Sequence, residues 1–265
     1  MNRNTGSEFI YQLFALLISI IIIHSIYVAW VRPNADAILQ EQLDRQASGE
    51  TYIAQRSMFV VMRDYEQEAC FVLMFWALAI MGLKSRQALS ERRMLSMPLL
   101  RVKEGTSILP EDTIEFARPI QALPPIEQNL LIPRALTTAL QRFQTTRNVA
   151  DTSTAVREVC ETESDRLDSE LSMVRYIAWA IPSIGFIGTV RGIGEALGQA
   201  HKAVEGDIAG VTISLGVAFN STFVALVISI AVMFFSHQLQ LLQERQVLDA
   251  QSYCNDKLLR FLRTQ

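Results

Sequence analysis

The side chains best placed to do chemistry are hydroxyls on one face of an apolar segment, residues 208–236. At about 100° per residue, six small or hydroxylated residues fall within one arc of a helix, and large apolar residues take the other side. The six are Ser214, Ala218, Ser221, Thr222, Ala225 and Ser229. Hydroxyls gain nothing from facing hydrocarbon, whereas small residues let a neighbouring backbone approach and hydroxyls hydrogen-bond across helices. This face therefore meets protein or water.

The preceding apolar segment, residues 171–198, has the same kind of face. Its small residues, together with a proline one turn before Gly185, are Ala178, Pro182, Gly185, Thr189, Gly192 and Ala196. Tight helix packing is the simpler interpretation of either face alone. Two adjacent segments that each carry a central threonine, Thr189 and Thr222, favour a functional role as well.

Arg191 and Glu195 lie four residues apart near the outer end of 171–198, so they can pair along one helix face as a net-neutral pair. Ionisable residues at membrane depth usually mark a pathway or an internal partner. The alternative is an interfacial pair whose side chains reach water, and both interpretations stay open. His24 is expected to contact a neighbouring helix rather than relay protons.

Composition and motifs exclude several classes of protein. Lysine and arginine number 24 against 27 acidic residues, a net charge of −3, which does not fit a nucleic-acid binder. Half of the residues are hydrophobic and 19% are charged, which points to lipid. The sequence contains no catalytic triad order, phosphate-binding loop or metal cluster, so we expect neither an enzyme nor a bound cofactor. The three cysteines have no metal-site spacing and are expected to be packing residues.

Four apolar segments predict an all-α membrane protein. The first segment, 9–31, is long enough to cross a hydrocarbon core of about 30 Å, and it exceeds the apolar region of a cleavable signal, which is the competing interpretation. The second, 58–83, is predicted to be one long helix that leaves the bilayer. Segments 171–198 and 208–236 complete the set.

The distribution of basic residues predicts the orientation. Six of them follow the second segment closely: Lys84, Arg86, Arg92, Arg93, Arg101 and Lys103. Positive charge stays on the cytoplasmic side, so both termini are predicted to be cytoplasmic. The cytoplasmic parts are then 1–8, 84–170 and 237–265, and the external parts are 32–57 and 199–207.

The cytoplasmic segment 84–170 is predicted to be proline-rich at first and then helical. Six of the eight prolines lie in it, so its first half cannot form a long helix. From Pro133 to Glu170, apolar residues recur at helical spacing, which predicts an amphipathic rod that runs into the third span. The tail 237–265 has a similar pattern. We expect these helices to extend below the membrane and pair there.

The sequence of residues 181–193, IPSIGFIGTVRGI, resembles the signature of the MotA/TolQ/ExbB proton-channel family, which ends in Gly-Thr-Val-x-Gly-Ile. The matching positions are Pro182, Gly185, Gly188, Thr189, Val190 and Gly192. Residues 218–226, AFNSTFVAL, resemble a second family segment, Ala-Leu-x-Thr-Thr-x-x-Gly-Leu. There Ser221 replaces the first threonine, Thr222 matches the second and Ala225 replaces the glycine. The resemblance covers roughly residues 133–245.

The resemblance implies a channel-forming stator subunit in the bacterial inner membrane. Five copies would surround the single spanning helices of a dimeric MotB/TolR/ExbD-like partner, and ion flow would drive mechanical work. The ion would be H+, with Na+ as the alternative, and would ride on an aspartate of the partner. A departure from some transport-type members is that no acidic residue lies between Asp207 and Glu244. The resemblance leaves open which machine is driven, and a non-conducting scaffold of the same fold is the alternative function.

The resemblance also implies roles for individual residues. The ion path would comprise Thr189, Thr222, Ser221 and Asn220. The entrance pair would be Arg191 and Glu195. The helix-packing positions would be Pro182, Gly185, Gly188, Gly192, Ala218 and Ala225.

Overall fold

The structure is a computed structural model that describes residues 5–47, 57–100, 106–204 and 208–264. Within these ranges the chain is helical, and one isolated parallel bridge joins Ile108 and Leu262. Four helical stretches are long and apolar enough to cross a membrane: Gly6–Gln42, Tyr65–Leu95, Val149–Gly198 and Ala209–Phe261. The predicted all-α class and the number of membrane-spanning helices are confirmed at this level.

Some predictions fall on residues outside the described ranges. They concern residues 1–4 of the N-terminal segment, 48–56 of the external segment, 205–207 of the external turn, and Arg101 and Lys103 of the orientation argument.

The first membrane-spanning stretch is an unbroken helix with a wide turn in its middle. It consists of α1 (Thr5–Ile26), a π-helical turn (Tyr27–Val31) and α2 (Arg32–Ala47). Pro33 explains the turn, because a proline ring clashes with the carbonyl four residues earlier and a π turn makes room for it. The helix therefore continues beyond the predicted end at Val31 into the segment expected to be an external connection.

The second span differs from the single helix predicted for 58–83. The chain forms a short helix α3 (Met58–Val61), turns at residues 62–64, and begins α4 (Tyr65–Leu95). Glu66 and Glu68 lie in the first turn of α4, where negative charge is favourable beside the free N–H groups. The charged residues that lie between the apolar residues of α3 and those of α4 thus begin a new helix.

The region between α4 and the third span contains two short helices followed by a helical pair. The helices are α5 (Thr113–Gln121), α6 (Pro125–Gln128), α7 (Leu131–Thr146) and α8 (Val149–Glu170). The single rod predicted from Pro133 to Glu170 is wrong, because Arg147 adopts a left-handed conformation with φ 50° and ends α7. The side chain of Asn148 then caps α8 by accepting hydrogen bonds from the N–H groups of Ala150 and Asp151.

The last part of the chain contains the third and fourth membrane-spanning helices. They are α9 (Ser172–Gly198) and α11 (Ala209–Lys257), separated by α10 (Ala200–Val204), and a 3-10 turn (Leu259–Phe261) follows. Helix α11 has 49 residues, a length of about 74 Å at 1.5 Å per residue. That exceeds a hydrocarbon core of about 30 Å, so part of α11 must lie outside it.

The described residues divide into two compact units. The first unit contains the residues up to Gly82 together with Met173–Ser236. It exposes large apolar side chains such as Trp179 at 75% and Phe219 at 68%. Such an apolar exterior is expected where a surface faces lipid or other membrane helices.

The second unit contains Leu83–Ser172 and the residues from His237 onward. Its core is formed by buried apolar side chains of α4, α7, α8 and α11: Met94, Leu136, Leu140, Phe143, Val156 and Cys254. Lys84 is also buried, and its Nζ lies 2.7 Å from Oε2 of Glu170. A second oxygen of Glu170 accepts from Arg166 at 2.9 Å, so the buried lysine belongs to an ionic network.

Candidate functional site

The small faces of α9 and α11 pack directly against each other. A Cβ placed on Gly192 would lie 2.7 Å from two backbone atoms of α11, the nitrogen of Ala218 and the oxygen of Ser214. Two further predicted packing glycines meet side chains of the same helix, Gly185 with Ala225 and Gly188 with Ser221. A larger residue at any of these glycines would force the helices apart. This contact lies within one copy of the chain.

Pro182 leaves a helix carbonyl without its usual donor, and α11 supplies a replacement. Proline has no N–H, so the carbonyl of Ala178, four residues earlier, lacks its helical hydrogen bond. Ser229 of α11 is buried and donates its hydroxyl to that oxygen at 3.0 Å. An unsatisfied carbonyl in hydrocarbon costs several kcal/mol. The hydroxyl of Ser229 therefore compensates for the proline.

Thr189 and Thr222 meet at the centre of the same helix contact. The Thr189 hydroxyl lies 3.0 Å from the carbonyl oxygen of Ala218, and the Thr222 hydroxyl lies 3.1 Å from that of Gly185. The two hydroxyl oxygens are also hydrogen-bonded to each other. Each hydroxyl can donate one hydrogen bond and can also accept one from the other hydroxyl. The two carbonyl oxygens and the two hydroxyl oxygens therefore offer more acceptor sites than the two protons can fill at once. Both side chains are partly exposed.

The other two residues of the predicted ion path lie beside this pair on α11. Ser221 is buried, donates to the carbonyl of Val217 at 2.9 Å and faces Gly188. Asn220 is partly exposed. The structure thus joins the two threonines directly and places Ser221 within the helix packing.

Arg191 lies two residues beyond Thr189 on α9 and is surrounded by carboxylates. Its guanidinium contacts Glu195 at 3.0 Å, as expected from their spacing. It also makes a two-pronged contact with Glu66, from Nε at 2.7 Å and from Nη2 at 2.9 Å. Asp64 lies 3.7 Å from the same guanidinium. The predicted neutral pair is therefore part of a cluster with a formal charge of −3 + 1 = −2.

Sequence reasoning missed Glu66 and Asp64 as members of this cluster. They lie at the start of α4, and 125 residues separate Glu66 from Arg191, so no helical periodicity connects them. A usable signal was present, because carboxylates next to a membrane-spanning helix require a partner. Arg191, near the outer end of the third span, is such a partner for Glu66.

A second ionic cluster links the first two membrane-spanning stretches. Glu68 accepts from His24 Nδ1 at 2.7 Å and also binds Arg32. The Arg32 guanidinium lies over the ring of Tyr65, 4.3 Å from its centroid. His24 thus contacts a neighbouring helix, in line with the prediction. In the described part of the chain, no group of three or more His, Cys, Asp or Glu side chains is placed so that it could hold a metal ion.

Comparisons with known proteins address the part of the chain that contains the threonine pair. No curated protein and no solved structure matches the chain. A family model matches residues 127–252, a range that includes α7, α8, α9 and most of α11. The matched range contains both sequence motifs, and it is slightly longer than the range of roughly 133–245 over which the sequence resembles the family. This model describes the MotA/TolQ/ExbB proton channel family, so residues 127–252 are similar to that family.

Proposed function

We propose that this chain is the channel-forming stator subunit of a proton-driven motor in a bacterial inner membrane. The family match supports a membrane proton-channel subunit of the stator type. In the proposed complex, five copies surround a dimeric partner with one spanning helix per chain, and a partner aspartate carries the ion. Both termini and the second unit are cytoplasmic in this arrangement. Sodium is the alternative ion.

The observation that carries the proposal is the hydroxyl pair of Thr189 and Thr222. Both threonines match motif positions, come from different membrane-spanning helices and are hydrogen-bonded to each other. Hydroxyls can solvate a moving cation without holding it as a fixed carboxylate would. Because the protons of the pair can be redistributed among several acceptors, the pair can exchange hydrogen bonds with water on its exposed side. The threonine pair therefore suits an ion path in which the carboxylate that carries the ion is an aspartate of the partner.

The carboxylate cluster at Arg191 supports an ion entrance next to this pair. Three carboxylates share one guanidinium, so the cluster attracts cations rather than repelling them. Arg191 follows Thr189 by two residues, a rise of about 3 Å along the helix. We infer that the entrance is formed jointly by α9 and the start of α4.

A non-conducting scaffold of the same fold is the second candidate. The specific observation in its favour is that the hydroxyls of Thr189, Thr222 and Ser229 all find acceptors within one copy of the chain. Helix association by small residues and hydroxyls explains those contacts without any ion. The two functions differ in what happens when a hydroxyl is removed without changing the side-chain volume.

The experiment is proton uptake by vesicles that contain the chain and its single-span partner. Thr189→Val and Thr222→Val keep the side-chain volume and remove the hydroxyl, while Thr189→Ser and Thr222→Ser retain it. The channel proposal predicts that uptake falls at least about ten-fold in the valine variants and is largely kept in the serine variants. Equal uptake in all four variants, at equal amounts of assembled complex, would exclude the hydroxyl pair from the ion path.

A second set of variants tests the entrance. Glu66→Gln removes the carboxylate that contacts Arg191 twice, so uptake should fall because the cluster becomes less negative and attracts cations less strongly. Glu195→Gln is the matched control, because Glu195 is more exposed than Glu66 (46% against 12% of the side chain) and makes one contact. We expect the larger loss for Glu66→Gln. A larger loss for Glu195→Gln would place the entrance away from α4.

A further inference from the structure

A concave groove of about 210 Å³ lies between the second-unit parts of α4 and α11. Its polar lining consists mainly of Arg92 from α4 and Arg245, Gln246 and Asp249 from α11. A water molecule occupies about 30 Å³ in the liquid, so the groove has room for a small polar group of several heavy atoms. The groove is separate from the threonine pair and from the carboxylate cluster.

Gln246, a residue of the groove lining, has a buried polar atom that no other described residue satisfies. Gln246 is 7% exposed, and its side-chain oxygen Oε1 is buried without a hydrogen-bond donor in the described part of the chain. A buried acceptor without a donor costs about 1–3 kcal/mol. The position therefore suits a ligand that brings an N–H or O–H donor.

The charges around Gln246 indicate what the rest of such a ligand would be. Arg92 and Arg245 are exposed, and neither forms an ion pair with another described residue. Guanidinium groups bind phosphate through paired hydrogen bonds. Asp249, one turn from Arg245, adds a negative charge beside Gln246, where a cationic donor would be favoured. The two arginines thus give the groove positive charge. The amide oxygen of Gln246 and the carboxylate of Asp249 can accept hydrogen bonds from a ligand.

We propose that this groove binds a phosphate ester that carries an ammonium donor, with the phosphate on Arg92 and Arg245 and the ammonium on Gln246 and Asp249. Phosphoethanolamine has this chemistry, either as a lipid headgroup or as a soluble ester. A lipid headgroup is one possible source, because Gln238 of the groove lining follows Phe235, the last residue of an apolar run, by three residues. That separation is about 5 Å along the helix.

The test compares ligands that differ only in their N–H groups. Full-length protein is purified with its lipids exchanged for phosphatidylethanolamine or phosphatidylcholine, and retained lipid is counted by native mass spectrometry. Soluble O-phosphoethanolamine and phosphocholine are titrated in parallel by calorimetry. Quaternary choline cannot donate to Gln246, so we expect at least ten-fold weaker binding of the choline compound. Preferential retention of the ethanolamine lipid assigns the site to a headgroup, and preferential binding of the soluble ester assigns it to a soluble compound.

Variants locate the binding in the groove. Arg92→Gln combined with Arg245→Gln should weaken binding of the ethanolamine compound at least ten-fold, and Gln246→Leu should reduce it to the level of the choline compound. Arg93→Gln is the matched control, because Arg93 is an exposed arginine of the same helix that does not line the groove. Equal binding of both headgroup types, or equal binding by the double arginine variant and Arg93→Gln, would overturn the proposal.

Discussion

Replacing Gly192 by alanine tests the close contact between α9 and α11. Alanine is favoured over glycine in a helix by about 1 kcal/mol, so the change alone would stabilise the helix. At this position, however, the added methyl would lie 2.7 Å from two backbone atoms of α11, well inside the usual contact distance of about 3.5 Å. Backbone atoms cannot rotate away as a side chain can. Such overpacking costs about 1–3 kcal/mol or more.

Gly194 provides the matched control, because it lies on the same helix and a Cβ there would meet nothing within 4 Å. The gain in helix propensity is common to both variants and cancels in the comparison. We therefore expect Gly192→Ala to be less stable than Gly194→Ala by about 1–3 kcal/mol. The assay is unfolding of the purified protein by SDS, followed by circular dichroism. Variants of equal stability would refute the packing of α9 against α11 described above.

Three further predictions concern separate parts of the molecule. Ser229→Ala should destabilise the first unit by about 1–2 kcal/mol, because it leaves the carbonyl of Ala178 without a donor. Lys84→Met should destabilise the second unit by about 3 kcal/mol, since it removes one member of a buried ion pair, and Lys84→Met with Glu170→Leu should be milder. Burial raises the pKa of the Cys254 thiol to about 12, so the thiol stays protonated at pH 8 and little of the reactive thiolate is present. Cys254 should therefore resist alkylation at pH 8 until the protein is unfolded.

Each of these predictions has a result that contradicts it. Wild-type stability of Ser229→Ala in SDS titrations would mean that the carbonyl beside Pro182 needs no partner from α11. A double variant at Lys84 and Glu170 that is less stable than Lys84→Met would contradict the buried pairing. Equally rapid alkylation of Cys254 in native and unfolded protein, measured by mass spectrometry of its peptide, would show that the thiol is accessible in the fold.

The membrane-spanning helices and their small faces could be predicted because both are properties of local sequence. The apolar length identifies a span, and the helical period brings Ser221, Ala225 and Ser229 onto one face. The seam between α9 and α11 follows, because small faces on adjacent helices pack against each other. What periodicity could not show is that Thr189 and Thr222 share hydrogen bonds with the carbonyls of each other's helices.

The parts that escaped prediction depend on contacts between distant residues or on single backbone angles. The contact between Glu66 and Arg191 could not be predicted, because nothing in the local sequence reveals it. Lys84 was counted with the basic residues at the membrane surface, although it is buried against Glu170. The end of α7 depends on the positive φ of Arg147, which a non-glycine residue seldom adopts. Asn148, a favourable helix cap, was the available sign of a new helix there.

Partner-dependent proton uptake tests the central claim most directly. The chain is reconstituted in vesicles with a candidate MotB/TolR/ExbD-like single-span partner, and a pH-sensitive dye reports uptake under an imposed membrane potential. The channel account predicts uptake that requires both proteins and is lost when the aspartate in the partner's spanning helix is changed to asparagine. A stable complex of the two proteins that takes up protons no faster than empty vesicles would contradict the account and leave the scaffold function.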